Sequence, residues 1–285
     1  MTLIDQLERF ATQRVATPLG TVQYREARSP LAAGRVTHVL LHGIGSTSGS
    51  WLAQLEATRQ RDDAALRVVA WDAPGYGASD ALTVEQPRAA DYATRVWAWL
   101  DALGVGASDP VTLVGHSLGA LMAAAATLQA PQRVAALVLL APAQGYGNAD
   151  PAVRQKKLAD RLDSLAQLGP AGLARQRGAA MLSPAGDAEQ RALVEHLMAV
   201  IDPHGYTQAT RMLAQGDLPS DLARVACPVT VASGSADTIT PPEACQALAR
   251  QLGTPYLSLG PVGHACAIEA PDAVNRLLGL QAEAP

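Results

Sequence analysis

The chain of 285 residues is poor in aromatic and charged residues and has three cysteines. Aromatic residues make up 4% of the sequence and charged residues 17%. The formal net charge of −4 gives no electrostatic reason to expect nucleic acid or an anionic membrane as partner. No run approaches about 20 apolar residues, so we expect no membrane span. The length of 285 residues suits one large domain or one domain with a modest insertion, and 48% hydrophobic residues suit a compact protein.

The cysteines and the N-terminal segment indicate the compartment. Cys227, Cys245 and Cys266 are odd in number, widely spaced and without metal-ligand spacing, which favours free thiols in a reducing environment. Residues 1–10 carry acidic side chains where a signal peptide has a basic and then an apolar segment. We therefore predict a cytoplasmic protein without a metal or another cofactor.

Residues 115–119 read Gly-His-Ser-Leu-Gly and place Ser117 between two different kinds of segment. The apolar run 111–114 is typical of a buried strand, and the alanine-rich run 121–128 is typical of a helix. In that context the motif predicts a nucleophile elbow, a strained turn that lifts the serine hydroxyl clear of the sheet. The alternative is a serine that only caps the helix.

Two candidate partners for this serine follow predicted strands further along the chain. Asp237 follows the strand-like run 228–233, and His264 follows the run 255–259. A serine hydroxyl is a poor nucleophile until a base removes its proton. We predict that His264 is that base and that Asp237 fixes its tautomer and stabilises the imidazolium. The alternatives are a helix cap for Asp237 and a buried structural role for His264.

A glycine loop completes the predicted catalytic group. Residues 42–45 read His-Gly-Ile-Gly and follow the strand-like run 36–41. Such a loop supplies one backbone N–H to an oxyanion hole, and the residue after the nucleophile supplies the other. We therefore predict that the amides of Ile44 and Leu118 bind the oxyanion.

Together these motifs resemble the α/β-hydrolase superfamily over about residues 20–280. Residues 72–79, Asp-Ala-Pro-Gly-Tyr-Gly-Ala-Ser, are similar to the loop after the family's fourth strand. Gly263-His264 followed by Glu269 and Pro271 is similar to the family's ending. The chain order serine, aspartate, histidine is also typical of this family. The resemblance implies an α/β fold with a mostly parallel, doubly wound, eight-stranded sheet and an inserted helical cap.

The segmentation of the chain agrees with this expectation. A hairpin is predicted at residues 14–27, followed by alternating strands and helices as far as the apolar run 134–140. Residues 143–222 contain no strand-like run and carry apolar residues at helical spacing. We predict a hydrolase core formed by residues 1–142 and 223–285 and a helical cap formed by residues 143–222.

Two patterns suggest different chemistry. Residues 43–49 read Gly-x-Gly-x-x-x-Gly after a strand, and Asp72 ends the next strand, which resembles a dinucleotide-binding fingerprint. That interpretation leaves the predicted triad unexplained, and we interpret Asp72 as an organiser of its loop instead. His38 and His42 could share one face of a strand and bind a metal, but no third ligand lies near them in sequence.

We predict hydrolysis of a small carboxylic ester or lactone through an acyl-enzyme on Ser117. The loop 42–46 resembles those of enol-lactonases and small carboxylesterases. Carbon–carbon hydrolases of aromatic ring-fission products usually have a Gly-x-Gly-Pro-Gly loop, where this chain reads Gly-Ile-Gly-Ser-Thr, and they remain an alternative. A non-catalytic receptor with this fold is a lesser alternative. The expected partner is a small-molecule substrate, and the sequence leaves the oligomeric state open.

The predicted cap also supplies candidates for substrate contacts. Its basic side chains could pair with a substrate carboxylate or face water: Arg154, Lys156, Lys157, Arg175 and Arg177. Large apolar residues are candidates for the pocket or the core: Trp51, Met122, Met181, Leu182, Met198 and Met212.

Overall fold

The computed structural model describes residues 1–281 of the chain. The strands in these residues form one sheet. They are β1 (Gln13–Thr17), β2 (Gly20–Arg28), β3 (His38–Leu41), β4 (Arg67–Trp71), β5 (Val111–His116), β6 (Val134–Leu140), β7 (Val229–Ser233) and β8 (Tyr256–Ser258). The predicted strand at residues 36–41 is therefore two residues shorter at its start.

Helices separate most of these strands. They are α1 (Leu3–Leu7), α2 (Leu52–Gln60), α3 (Ala89–Ala102), α4 (Gly119–Gln129), α5 (Pro151–Arg177), α6 (Ala188–Ala199), α7 (Pro203–Gln215), α8 (Leu218–Leu222), α9 (Pro242–Leu252), α10 (Cys266–Glu269) and α11 (Pro271–Leu277). None of the helices within residues 1–281 combines the length and the apolar character needed to cross a bilayer.

The strand order across the sheet is β1-β2-β4-β3-β5-β6-β7-β8. β1 and β2 form the predicted hairpin, β2 pairs antiparallel with β4, and every other neighbouring pair is parallel. Parallel strands covered on both faces consist almost wholly of apolar residues, as in β4 and in the last four residues of β6, which are all buried. The predicted α/β fold with a mostly parallel eight-stranded sheet is confirmed.

Two apolar clusters pack against the two faces of this sheet. One includes Trp71, Trp99 and Leu113, and the other includes Trp51 and Leu55. The candidate site residues Ser117, Asp237 and His264 all follow the carboxyl ends of parallel strands. Binding crevices of open α/β sheets lie at those ends.

The helices α5 to α8 all lie between β6 and β7, in the stretch predicted as a cap. Each begins at an aspartate whose carboxylate accepts a hydrogen bond from a backbone N–H in the first turn: Asp150, Asp187, Asp202 and Asp217. Helix α5 bends at Gly169, whose φ of 60° and ψ of 176° interrupt the helix just before Pro170. The division into core and cap stays a prediction, and residues 282–285 of the predicted core lie outside the described residues.

The insertion sits directly on the loops of the sheet. A Cβ atom on Gly205, in the first turn of α7, would lie 2.0 Å from the carbonyl oxygen of Gly75, so the two backbones touch with no side chain between them. The Glu269 carboxylate accepts hydrogen bonds from the N–H of Ser183 (3.0 Å) and the N–H of Gly263 (2.8 Å). The inserted helices are thus fixed to the loop after β4 and to the loop after β8.

Candidate active site

Ser117 stands on a sharp turn between β5 and α4. Its φ is +51°, a left-handed conformation that costs a non-glycine residue roughly 1–3 kcal/mol. The flanking glycines are required by space. A Cβ on Gly115 would lie 2.6 Å from the Cα of Ala120, and a Cβ on Gly119 would lie 2.2 Å from the carbonyl oxygen of Leu41. The local geometry is that of the predicted elbow.

Asp237 and His264 meet beyond the ends of β7 and β8. The Nδ1 atom of His264 lies 2.9 Å from Oδ2 of Asp237, and the two residues are 2% and 3% exposed. The other carboxylate oxygen, Oδ1, accepts hydrogen bonds from the backbone N–H groups of Ile239 (2.7 Å) and Thr240 (3.0 Å). Asp237 thus caps the turn at residues 237–240 and contacts the histidine, whereas helix α9 begins at Pro242 without a side-chain cap.

The hydrogen bonds decide the charge of Asp237. Burial by itself raises the pKa of a carboxylate, because it disfavours the charged form. The hydrogen bonds from His264 and Thr240 outweigh burial and hold the pKa of Asp237 below its usual value. At neutral pH the residue is an anion facing Nδ1 of His264, which favours the tautomer with its proton on Nδ1 and leaves Nε2 as the basic nitrogen.

Thr240 is a site residue that the sequence analysis missed. Its hydroxyl lies 2.8 Å from Oδ2 of Asp237, 3.1 Å from Nδ1 of His264 and 3.1 Å from the carbonyl oxygen of Ala141. A hydroxyl has one proton and two lone pairs. It can donate to the carboxylate or to Ala141 while it accepts from Nδ1–H. The one available signal was the position of Thr240 three residues after the aspartate.

His116 connects the elbow to the loop that carries His264. Its Nε2 lies 2.8 Å from the carbonyl oxygen of His264, and the two ring centroids are 4.9 Å apart. The pKa of His116 is lowered to about 3, mainly by burial and secondly by the nearby His264. The ring is therefore neutral, and Nε2–H donates to the carbonyl group.

The predicted oxyanion loop lies against the elbow. A Cβ on Gly43 would approach the Cβ of Ser117 to 3.1 Å. Tyr76 donates a hydrogen bond to the carbonyl oxygen of Ile44 (2.8 Å), which fixes the orientation of that peptide. Within residues 1–281, the N–H groups of Ile44 and Leu118 donate no hydrogen bond to protein atoms, and both residues line one cavity with Ser117. Two unpaired N–H donors therefore border the nucleophile candidate.

Asp72 organises its loop, as the sequence analysis interpreted it. Its Oδ1 accepts a hydrogen bond from the N–H of Ser48 and its Oδ2 accepts one from the side-chain amide of Gln23, both at 2.6 Å. With both oxygens engaged and 1% exposure, the carboxylate is unavailable to a ribose, and the dinucleotide interpretation is wrong.

His38 and His42, which the sequence analysis considered as metal ligands, are both largely buried within the protein. His42 accepts a hydrogen bond from the N–H of Ala73 on Nε2 (3.0 Å), and its Nδ1–H donates to the carbonyl oxygen of Gly43 (2.8 Å). Burial lowers the pKa of His38 to about 4. Over the part of the chain that the structure describes, no three His, Cys, Asp or Glu residues are grouped as metal ligands.

A cavity of about 590 Å³ opens between Ser117 and the inserted helices. His264, Thr240 and the loop of Ile44 also line it. The inserted helices and the loop after β6 contribute further lining residues: Tyr146, Arg161, Leu173, Arg177, Met181, Met198, Tyr206 and Leu213. Two of the six apolar lining candidates, Met181 and Met198, are therefore in the cavity wall. The other four are buried elsewhere: Trp51, Met122, Leu182 and Met212.

A second cavity of about 560 Å³ lies between α2, α6 and α11. Its wall contains none of Ser117, Asp237 and His264. The candidate nucleophile and base face the first cavity, and we assign the active site to that one.

Residues 39–277 match the profile of the alpha/beta hydrolase family, and the chain belongs to this family. A protein of Caulobacter sp. (strain K31), provisionally named carbamate hydrolase RutD, is 28% identical over 270 residues, which cover 90% of this chain and 94% of that protein. The 2-hydroxy-6-oxononadienedioate/2-hydroxy-6-oxononatrienedioate hydrolase of Paraburkholderia phymatum is 33% identical over 142 residues, 50% of this chain and 48% of that one.

The fold is shared with solved hydrolase structures. The enol-lactonase of Burkholderia xenovorans LB400 superposes with a TM-score of 0.79 at 20% identity, covering 94% of this chain and 98% of the enol-lactonase. The family and its relatives identify the chain as an α/β-hydrolase enzyme, and a non-catalytic receptor is not supported.

Proposed function

We propose that the chain hydrolyses a small carboxylic ester or lactone with Ser117 as nucleophile. The observation that carries this proposal is the shared cavity. Ser117, His264 and the residues Ile44 and Leu118, whose N–H groups are unpaired, line it, and Asp237 holds His264 from behind. Nucleophile, oriented base and oxyanion donors are the parts that acyl transfer requires. The structural likeness to an enol-lactonase supports the fold of such an enzyme.

The chemistry follows from these positions. His264 takes the Ser117 proton on Nε2 as the oxygen attacks the substrate carbonyl, and Asp237 stabilises the imidazolium that forms. The Ile44 and Leu118 amides stabilise the oxyanion, where one donor is typically worth about 3–4 kcal/mol. His264 then protonates the leaving alkoxide. A water molecule activated by the same histidine releases the acid from the serine ester. No cofactor takes part in these steps.

Cleavage of a carbon–carbon bond in an aromatic ring-fission product is the second candidate. The 33% identity with a protein named as a dienedioate hydrolase favours it, although that similarity covers half of each chain. The Gly-Ile-Gly-Ser-Thr sequence at residues 43–47 favours the ester or lactone instead.

The first experiment measures hydrolysis of 4-nitrophenyl esters from acetate to octanoate, with γ- and δ-lactones in parallel. We expect turnover with a chain-length or ring-size optimum. Ser117→Ala should lose roughly a thousandfold or more in kcat and remain folded, because triad residues act as a unit. A Ser117→Ala variant that kept more than about a tenth of the activity would rule out the serine mechanism. Labelling of Ser117 by a fluorophosphonate reports the nucleophile independently of any ester.

A further inference from the structure

The wall of the active-site cavity carries positive charge and no acidic side chain. Arg161 and Arg177 line it, and none of its lining residues is aspartate or glutamate. The chain as a whole has a net charge of −4, so this cavity departs from the average surface. Two guanidinium groups in a partly closed, largely apolar cavity are attractive to an anion, because electrostatic interactions strengthen as water is excluded.

The bend in α5 brings the two arginines to the same cavity. Arg161 lies in the segment before Gly169, and Arg177 ends the segment after it. In a straight helix the sixteen steps from Arg161 to Arg177 would correspond to roughly 24 Å along the axis. The interruption at Gly169 lets the helix fold over the cavity, so that both half-buried side chains reach its wall.

Among the described residues, neither arginine makes a direct polar contact with another side chain. Over residues 1–281, Arg161 and Arg177 take part in no ion pair and no side-chain hydrogen bond. Lys156, on the same helix as Arg161, pairs instead with Asp160 at 2.9 Å and faces solvent. The other predicted basic candidates, Arg154, Lys157 and Arg175, do not line the cavity.

The charge of Arg161 also influences Tyr76, the residue that donates a hydrogen bond to the carbonyl oxygen of Ile44. Burial raises the pKa of Tyr76 well above its usual value, nearby tyrosines add to the rise, and the positive charge of Arg161 opposes it. Asp202 acts on the same phenol, but its carboxylate accepts hydrogen bonds from the N–H groups of His204 (2.8 Å) and Gly205 (3.1 Å) at the start of α7. Asp202 is therefore engaged as a helix cap.

We propose that Arg161 and Arg177 form an anion subsite and that the substrate carries a carboxylate in addition to its scissile carbonyl. This inference rests on the proposed function and specifies its substrate class. The guanidinium fork matches a carboxylate in a two-point hydrogen bond. Guanidinium groups pair in the same way with phosphate, and the titration described below separates the two anions.

The test compares two esters of equal length, mono-(4-nitrophenyl) glutarate with a free carboxylate and its neutral methyl ester. We expect the chain to prefer the anionic ester by about 10- to 100-fold in kcat/KM, which corresponds to one or two charge-assisted hydrogen bonds. In Arg161→Gln and Arg177→Gln that preference should fall towards one, mainly through a higher KM for the anionic ester. Arg175→Gln, an exposed change on the same helix, is the matched control and should keep it.

The outcomes separate this inference from the proposed function. Equal turnover of both esters, or a preference that persists when both arginines are replaced, overturns the anion subsite while leaving the hydrolase intact. If neither ester is cleaved, calorimetric titration of glutarate into Ser117→Ala tests the subsite alone. Binding that disappears in the arginine variants supports the subsite. Absence of binding overturns it, and tighter binding of inorganic phosphate overturns the choice of a carboxylate.

Discussion

Replacing Thr240 by valine removes the hydroxyl that contacts Asp237 and His264 and keeps the shape of the side chain. The carboxylate of Asp237 then loses the hydrogen bond at 2.8 Å but keeps His264 and two backbone N–H groups. A hydrogen bond to a charged group contributes about 1.5–3 kcal/mol. Because three donors remain, we take the lower value, which corresponds to about a tenfold decrease in kcat.

The kinetic pattern distinguishes positioning from simple packing. Thr240 touches the carboxylate and the imidazole, so its loss should lower kcat and leave KM for a neutral ester nearly unchanged. Thr240→Ser restores the hydroxyl without the methyl group, and we expect it to recover most of the rate. Wild-type kcat in Thr240→Val, or equal losses in the valine and serine variants, would refute the reasoning about the hydroxyl. Thermal unfolding of all three proteins controls for the fold.

The same variant has a predicted pH dependence of stability. The folded-state pKa of Asp237 is depressed, so this residue contributes stability that is present above its unfolded pKa, about 3.9, and is lost as pH falls through the lower folded-state value. Without the Thr240 hydroxyl the folded-state pKa rises towards the unfolded value. We expect Thr240→Val to cost stability near neutral pH and less at pH 2–3, measured as urea midpoints.

Two further predictions concern structure away from the chemistry. Glu269→Gln puts an amide group against the N–H of Ser183. We expect this change to lower the free energy of unfolding by about 2 kcal/mol and to lower the Tm clearly, whereas the exposed control Glu8→Gln should leave the Tm unchanged. An unchanged Tm for Glu269→Gln would contradict the hydrogen-bond assignment. Burial raises the pKa of Cys245 to about 11 and that of Cys266 to about 12. Ellman's reagent at pH 8 should therefore modify at most one of the three free thiols in the native protein and all three in urea. Fast modification of more than one thiol in the native protein would show that the core opens.

The fold was predictable from the sequence because short runs of residues indicate its strands, its helices and the turn at Ser117. The strand and helix around Ser117 are recognisable from runs of a few residues. Glycine is required at positions 115 and 119 because a Cβ atom there would clash with neighbouring backbone atoms. The meeting of Asp237 and His264 was predictable because both follow strands whose carboxyl ends share one edge of the sheet. Their catalytic roles stay predictions.

Other features of the site depend on packing and could not be deduced from local sequence. The role of Thr240 depends on the rotamer that places its hydroxyl between the Asp237 carboxylate and Nδ1 of His264. Arg161 reaches the cavity because α5 bends at Gly169, and the size of that bend depends on what the helix packs against. Arg177 was one of five equivalent basic candidates until the cavity wall separated it from the others.

The position of the inserted helices in the chain has a consequence for protein synthesis. The serine at position 117 and the histidine at position 264 are separated by 147 residues (264 − 117), and the whole insertion lies between them. At about 5–20 residues per second, a ribosome needs roughly 7–30 s to make this interval. During that time the nascent chain contains Ser117 without the histidine that we propose as its base. The proposed site can therefore assemble only after the last two strands have been made, because Thr240 and His264 also belong to the cavity wall.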